Sequence, residues 1–215
     1  MGTYISALTG ASGAVYGIRL IEELLLREHR VIVLCTDAGK LVVQRETGLD
    51  LGREQLGRLQ AFFDARLRDR KTGSGGRTGS RPNTAGELLG YYAVSDIDAP
   101  IASGSYHVDG MTVVPCSMST LSGIAAGSAG NLLERAADVC MKEGRPLLLS
   151  PREMPLSVIH LENMLRLART GVIIAPPMPG FYHGPESIDG LVDFVVGKIL
   201  SRLGIENTLF APWEG

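Results

Sequence analysis

Cysteine is scarce in this chain, and its scarcity limits what the protein can be. The 215 residues include three cysteines and four histidines. The cysteines are odd in number and lack C-x-x-C spacing, so we expect reduced thiols in a cytoplasmic protein rather than a disulfide framework. The histidines are scattered and lack the partners that a zinc site requires, so we expect no metal. These residues are Cys35, Cys116, Cys140, His29, His107, His160 and His183.

Excess charge and long apolar runs are also absent. The formal net charge is −2, which argues against a nucleic-acid partner because nucleic-acid-binding domains usually carry a basic face. No apolar run is long enough to cross a bilayer, so we expect no membrane association. The first apolar strand begins at Tyr4 without a basic or signal-like stretch before it, and we therefore expect no targeting leader.

What the sequence does contain is a regular alternation of short apolar runs and amphipathic segments. Parallel strands joined by helices are buried on both faces, which explains such continuous apolar runs. We predict one α/β domain over residues 1–215, a Rossmann-like (flavodoxin-like), doubly wound parallel sheet in a three-layer α/β/α sandwich. The predicted strands are 4–8, 31–35, 111–114, 146–149 and 171–175, and the predicted helices are 14–27, 37–46, 55–67, 132–143, 158–169 and 187–203.

Residues 68–86 interrupt this alternation. They are rich in Arg, Lys, Gly, Ser and Thr, which predicts a polar, mobile insertion. A phosphate-binding loop is the competing interpretation, but no apolar strand leads into the segment and the order Gly-Lys-Ser/Thr is missing.

Two turns carry short hydroxyl side chains where a strand gives way to a helix. They are residues 9–13 and 117–120. A helix start presents backbone N–H groups and a positive dipole end, so hydroxyls there cap the helix or hold an anionic or heteroaromatic ligand. Two such turns suggest a nucleotide-like cofactor. The glycines do not match G-x-G-x-x-G, so an NAD site with Asp37 as its acidic residue is a weaker alternative, and tight helix packing is another.

Charged residues later in the chain leave two interpretations open. Arg152 and Glu153 directly follow a buried strand. Arg there can bind phosphate through two N–H bonds and Glu can shuttle a proton, or the two form a surface ion pair of little consequence. Arg135, Lys142 and Lys198 lie on predicted helices, where a single charge is usually solvated.

Six ordered motifs together resemble the UbiX/Pad-type flavin prenyltransferases. They are residues 9–17 (TGASGAVYG), 115–117 (PCS), 135–139 (RAADV), 145–147 (RPL), 151–153 (PRE) and 180–183 (GFYH). The resemblance implies an enzyme that binds reduced FMN and transfers a dimethylallyl group from dimethylallyl phosphate to its N5 and C6 without a metal. It further implies that the prenylated FMN serves a UbiD-type decarboxylase, and that the chain forms a homo-oligomer, a trimer-based dodecamer.

Matched position by position, the resemblance assigns roles to single residues. The implied catalytic residues are Ser12, Glu46 and Glu153. The implied FMN ligands are Gly10, Ala11, Ser12, Thr36, Ser117, Met118, Ser119, Thr120 and Arg152. The implied ligands of dimethylallyl phosphate are Tyr182, Lys198, Arg135 and Lys142, some of them reaching from a neighbouring subunit. One departure is Ile97, which stands where some members have Trp.

Two alternatives remain beside this resemblance. An FMN-dependent cysteine decarboxylase of the phosphopantothenoylcysteine type would share the sheet and the flavin. It would also have a Pro-Ala-Ser-Ala-Asn-Thr segment and a catalytic His after an early helix, and the sequence has neither. A non-catalytic flavin-binding subunit would not need Glu46, Lys142 and Tyr182 together, so their joint presence favours an enzyme.

Overall fold

A computed structural model of the chain describes residues 1–73 and 85–211. These residues form a six-stranded parallel sheet with helices on both faces, which confirms the predicted fold class. The strands are β1 Thr3–Leu8, β2 Arg30–Cys35, β3 Leu89–Ala93, β4 Gly110–Cys116, β5 Leu147–Pro151 and β6 Ile173–Ile174. The helices are α1 Ala14–Leu26, α2 Asp37–Thr47, α3 Gln55–Gly73, α4 Ala85–Leu88, α5 Met118–Ala126, α6 Leu132–Lys142, α7 Val158–Arg169 and α8 Ile188–Arg202, with a short 3-10 helix at Pro100–Ala102.

The strand order is β3-β2-β1-β4-β5-β6, so the direction of winding reverses between β1 and β4. β1 pairs with β2 on one side, where Leu8 lies opposite Cys35, and with β4 on the other, where Ala7 lies opposite Val113. The turns that follow β1, β2 and β4 therefore meet at one edge of the sheet. In a doubly wound sheet this reversal is where ligands bind.

The strands bury both of their faces, as their apolar sequences predict. On one face α1, α3 and α8 cover a core that includes the fully buried Leu8 and Phe63. On the other face α5, α6 and α7 cover a second core that includes Ala7 and Leu133. Because successive side chains of a strand point to opposite faces, neighbouring residues of β1 belong to different layers.

Gly17 lets α1 lie directly against the end of β4. A Cβ atom at this position would stand 2.1 Å from the Val114 carbonyl oxygen and 2.4 Å from Leu8 Cδ2. The first of these neighbours is backbone and cannot rotate away. A glycine that the sequence places in the motif after β1 therefore sets how closely the first helix approaches the sheet.

Buried ion pairs join α1 to two other helices. Arg19 and Glu22, both on α1, are almost fully buried. Arg19 Nε donates to Asp193 on α8 at 2.7 Å, and Glu22 accepts from Arg66 on α3. Arg19 also lies within ion-pair distance of Glu22 and Glu23, so these charges form a network in which the loss of one partner leaves the others partly compensated. These pairs hold the three helices of the first layer in one arrangement.

Several elements differ from the prediction. β6 is Ile173–Ile174 where residues 171–175 were predicted, and α4, which includes residues 85–86 of the predicted insertion, was not predicted. β3 was not predicted, because it is a short edge strand with two half-buried tyrosines that follows the polar segment. α3 continues to Gly73, so residues 68–73 of the predicted insertion are helical. Residues 74–84 lie outside the described ranges, and the mobility of the insertion stays a prediction. α5 begins at Met118, so most of the hydroxyl turn at residues 117–120 belongs to the first turn of this helix. Within the described ranges, none of the helices has the length and apolarity needed to cross a membrane.

Candidate active site

One buried threonine ties the two hydroxyl turns together. Thr9, the first residue after β1, is 1% exposed. Its Oγ1 donates to the Pro115 carbonyl oxygen at 2.8 Å and accepts from the Ser117 backbone N–H at 2.7 Å. Both bonds have good geometry and are enclosed, so they hold the end of β1 against the turn after β4. The sequence shows Thr9 in its motif but gives no sign of this bridging role.

The turn at the start of α1 is capped by a carboxylate from another helix. Gly13 adopts a left-handed conformation with φ of 108°, which favours glycine. Glu46, on α2, accepts from the backbone N–H groups of Gly13 at 2.9 Å and of Ala14 at 2.8 Å. A negative charge at a helix start is stabilising, so Glu46 acts here as a cap. These two N–H groups are therefore not open to a ligand in this arrangement.

The start of α5 is capped by its own hydroxyls. Ser117 Oγ accepts from the Thr120 backbone N–H at 3.3 Å and donates to Thr120 Oγ1 at 3.1 Å. Thr120 is buried, Met118 is partly buried, and Ser119 is exposed at the helix entrance. The first turn of α5 thus presents the exposed hydroxyl of Ser119, while the hydroxyls of Ser117 and Thr120 are bonded to each other.

The start of α2 completes this edge. Thr36 caps the helix, with its Oγ1 accepting from the Gly39 backbone N–H at 3.0 Å. A Cβ atom on Gly10 would stand 2.6 Å from Ala38 Cβ, so the turn after β1 packs directly on the first turn of α2. Three strand ends therefore contribute to one surface, which we name the hydroxyl ledge. It consists of Ser12, Thr36, Ser117, Ser119 and Thr120.

Arg152 reaches back to the hydroxyl ledge from the end of β5. Its Nε donates to the Ser12 carbonyl oxygen at 3.2 Å, and its backbone N–H donates to the Cys116 carbonyl oxygen at 3.2 Å. The Arg152 side chain is exposed, and among the described residues its hydrogen-bond acceptor is a neutral carbonyl. Glu153 beside it is exposed and accepts from the Met154 backbone N–H at 3.1 Å. The structure thus brings Arg152 next to Ser12 and leaves Glu153 at the rim.

A pocket of about 140 Å³ lies beyond β6 and contains Lys198. The Ala175 backbone N–H donates to the Leu149 carbonyl oxygen at 2.8 Å, so the pocket begins beside the end of β5. We name it the lysine pocket. Its lining residues are Ala175, Pro176, Met178, Phe194, Val195, Lys198 and Ile199.

Tyr182 and Lys198 both approach the ring of Phe194, which lines the lysine pocket. The Phe194 ring lies 5.6 Å from the Tyr182 ring in an edge-to-face arrangement, and the Lys198 ammonium lies 5.5 Å from the Phe194 centroid. Phe210 lies next to Phe194, with its centroid 4.9 Å from the same ammonium. The sequence did not indicate either phenylalanine. The signal for Phe194 is its position four residues before Lys198, on the same side of a helix.

Arg135 and Lys142 are not part of this edge within one chain. Arg135 Nε donates to the Ala102 carbonyl oxygen at 3.0 Å, and its guanidinium pairs with Asp138 at 2.7 Å. Lys142 pairs with Glu143 at 3.0 Å at the end of α6, just before the chain enters β5 from the opposite edge of the sheet. Both side chains are half exposed and on the outside of the fold.

The cysteines are free and buried, and burial raises the pKa of each thiol. The pKa of Cys35 rises to about 12 and that of Cys140 to about 11, while that of Cys116, beside the hydroxyl ledge, rises further. Because the thiolate is the reactive form, none of them is an activated nucleophile. The described part of the chain also has no group of three side chains that could hold a metal ion.

Comparison with known proteins identifies the family. The model of the flavoprotein family matches residues 3–200. A flavin prenyltransferase UbiX from Halalkalibacterium halodurans is 46% identical over 212 residues, which cover 99% of this chain and 93% of that protein. The chain belongs to the flavoprotein family, among its UbiX-type members.

Solved structures of UbiX-like flavoproteins share the whole fold. AnUbiX (PadA1), solved in complex with FMN and dimethylallyl pyrophosphate, is 33% identical with a TM-score of 0.81, and the match covers 100% of this chain and 98% of that one. A dodecameric FMN-dependent UbiX-like decarboxylase from Escherichia coli O157:H7 is 38% identical with a TM-score of 0.80, covering 99% and 100%. The predicted family and the flavodoxin-like fold are therefore confirmed.

Proposed function

We propose that this chain is a flavin prenyltransferase, which transfers a dimethylallyl group from dimethylallyl phosphate to reduced FMN. The observation that carries the proposal is the meeting of Tyr182 and Lys198 at Phe194, at the same carboxyl edge of the sheet as the hydroxyl ledge. A flavin ledge and a cationic phosphate pocket on one edge of the sheet are what this transfer needs. The UbiX relatives, nearly full-length matches, support the same reaction.

The residues of the ledge fit FMN. Hydroxyls, backbone N–H groups and one guanidinium suit the polar edge of a flavin and its phosphate. Ser119 and Ser12 are exposed there, and Arg152 has its remaining N–H groups free of any carboxylate in the described ranges. We therefore assign FMN binding to Gly10, Ala11, Ser12, Thr36, Ser117, Met118, Ser119, Thr120 and Arg152.

The transfer breaks the C–O bond of dimethylallyl phosphate, and the electron pair leaves with the phosphate. Lys198 and Tyr182 stabilise that leaving charge. Reduced FMN supplies N5, which bonds to the carbon that the phosphate leaves. Protonation of the remaining double bond of the five-carbon group then creates a tertiary cation, which bonds to C6 of the flavin. N5 and C6 each give up one proton. One of the two is taken up by the double bond, and the other passes by way of Glu153 or directly to the released phosphate, so the products are prenylated FMN and hydrogen phosphate. Ser12 contributes its exposed hydroxyl at the reacting edge, and Glu46 supports it by capping α1.

Arg135 and Lys142 serve the site of a neighbouring copy in this proposal. Both are exposed outside the lysine pocket of their own chain, and each is held by one carboxylate that a phosphate can replace. Self-association is supported by apolar side chains that the fold leaves on its surface around α7. They are Met154, Leu156, Val158, Ile159, Leu161 and Leu165. The dodecameric relative supports a homo-oligomer of this kind.

Product mass tests the function directly. Protein, reduced FMN and dimethylallyl phosphate should yield a flavin heavier by one C5H8 unit and one equivalent of phosphate. Lys198→Met should slow this transfer at least about a hundredfold through loss of leaving-group stabilisation. Arg202→Gln, which removes a cation one turn later on the same helix, should not. Unmodified FMN with the wild-type protein would refute the transferase, and cysteine-peptide decarboxylation would favour the rival enzyme.

Mixing variants tests the shared site. Lys198→Met and Lys142→Met should each be inactive, and their co-assembly should restore about a quarter of the sites, because random mixing unites the two intact lysines that often. Full activity of Lys142→Met alone would place Lys142 outside the reaction, and no recovery on mixing two inactive variants would place it in its own chain's site.

The product and the location complete the proposal. We assign the prenylated FMN to a UbiD-type decarboxylase as its recipient, which activation of such an apoenzyme by the reaction mixture would test. We assign the chain to the cytoplasm, because three buried free thiols suit a reducing compartment. Ile97 is 63% exposed, so the wall that Trp forms in some relatives is not replaced by that side chain.

A further inference from the structure

The segment that contains Asn207 and Phe210, which we name the C-terminal segment, folds back on α8 beside Lys198. Asn207 Nδ2 donates to the Gly197 carbonyl oxygen and to Ser201 Oγ, both at 3.1 Å. A Cβ atom on Gly197 would stand 2.7 Å from two carbons of the Phe210 ring. The glycine therefore leaves the space into which Phe210 packs, and Asn207 fixes the segment that carries it.

This docking places the Lys198 ammonium against two adjacent aromatic rings. The Phe194 and Phe210 centroids are 5.0 Å apart with the rings tilted by 58°, and the ammonium lies within 5.5 Å of both. Aromatic faces attract cations through their quadrupole. Across residues 1–73 and 85–211, no carboxylate lies within ion-pair distance of Lys198. The rings therefore orient the charge without neutralising it.

We propose that Phe210 is a positioning residue for Lys198, and that the docked C-terminal segment thereby sets the affinity of the site for the phosphate group of the donor. The inference rests on the proposed function, in which Lys198 binds that phosphate. A long lysine side chain loses much conformational freedom when it is held in one place. Holding it beforehand against two rings lowers that cost on binding, and within the described ranges no carboxylate competes with the phosphate for the ammonium.

Replacement of Phe210 tests the inference. Phe210→Leu should raise the KM for dimethylallyl phosphate about fivefold, the usual size of one cation–π contact, with the FMN dissociation constant unchanged. Phe210→Tyr keeps an aromatic face and should restore the wild-type KM. The matched control is Phe62→Leu, because Phe62 also carries a cation over its ring, Arg66 at 5.5 Å, on the distant α3. That variant should leave the KM unchanged.

Binding of inorganic phosphate separates this inference from the transfer reaction. Titration of the FMN-loaded protein with inorganic phosphate should show wild-type binding that Phe210→Leu weakens about fivefold and Phe210→Tyr retains. Phosphate binding without formation of prenylated product would refute the proposed transferase function and leave the positioning role of Phe210 standing. An unchanged KM and phosphate affinity in Phe210→Leu, or an equal change in Phe62→Leu, would overturn the positioning role. Absence of phosphate binding by the wild-type protein would overturn it as well.

Discussion

The bridge made by Thr9 offers a sharp test of how the site is held together. Thr9→Val keeps the shape of the side chain and removes its hydroxyl. The Pro115 carbonyl oxygen and the Ser117 backbone N–H then lose their partner at a position that is 1% exposed. Neither group can turn to solvent without a movement of the turn after β4, and that turn begins α5.

The magnitude follows from the two bonds. A buried polar group left without a partner costs about 1–3 kcal/mol. Two such groups, partly relieved by movement of the turn, predict a loss of about 2–4 kcal/mol in the free energy of unfolding. The same movement shifts Ser117 and the start of α5 relative to Ser12. We therefore expect the dissociation constant for FMN to rise by about tenfold or more, since 1.4 kcal/mol corresponds to a factor of ten.

Thr112→Val is the matched control, because Thr112 is equally buried but is bonded only weakly. Its Oγ1 contacts the Ile5 carbonyl oxygen and Ser6 Oγ at 3.5 Å, the limit of a hydrogen bond. Urea unfolding should show a loss of about 1 kcal/mol or less for this variant, and flavin fluorescence should show unchanged FMN binding. Equal losses for Thr9→Val and Thr112→Val would refute the bridging role.

Three further predictions concern packing, pH and assembly. Gly17→Ala should destabilise the fold by about 1–3 kcal/mol in urea unfolding through its clash with the backbone, whereas Gly57→Ala, with open space around it in α3, should stabilise it by about 0.5–1 kcal/mol. Burial lowers the pKa of His29 below its ordinary 6.5, so the unfolded state binds more protons at acid pH. Stability should therefore fall as the pH drops through about 6.5 toward the folded-state pKa. The fall should be shallower in His29→Gln, and parallel curves would contradict this origin. Leu161→Asp, on the exposed face of α7, should reduce the assembly measured by light scattering, and Leu56→Asp, an exposed leucine of α3, should not.

Much of the fold is readable from the sequence because buried parallel strands and amphipathic helices have distinct periodicities. The helix α7 has the predicted bounds, and β1 and β2 differ by one residue. β3 escaped prediction because five residues at a sheet edge need little apolar sequence, and its pairing with β2 is a long-range property. The end of α3 escaped because its sequence, which is rich in arginine and ends in Lys-Thr-Gly, has the composition of a loop.

The candidate site also has one part that the sequence predicts and another part that it does not. The hydroxyl turns are visible as local motifs, since each follows a strand directly. The bridge of Thr9 to the second turn joins residues more than a hundred positions apart, and the capping of α1 by Glu46 joins two helices. The approach of Phe210 to Lys198 depends on a segment folding back. No local pattern contains these contacts, because chain topology creates them.

The pairing of the cations distinguishes the active edge from the rest of the fold. Arg19 in the core and Arg135 and Lys142 on α6 each have a carboxylate partner. Arg152 and Lys198, at the carboxyl edge, have none in the part of the chain that the structure describes, and a carbonyl and two aromatic rings hold them instead. Both side chains are exposed and available to an anionic ligand, and a ligand that binds only the folded state stabilises that state. The two cations therefore predict that phosphate-bearing ligands stabilise the protein, and that this gain is lost when both are replaced.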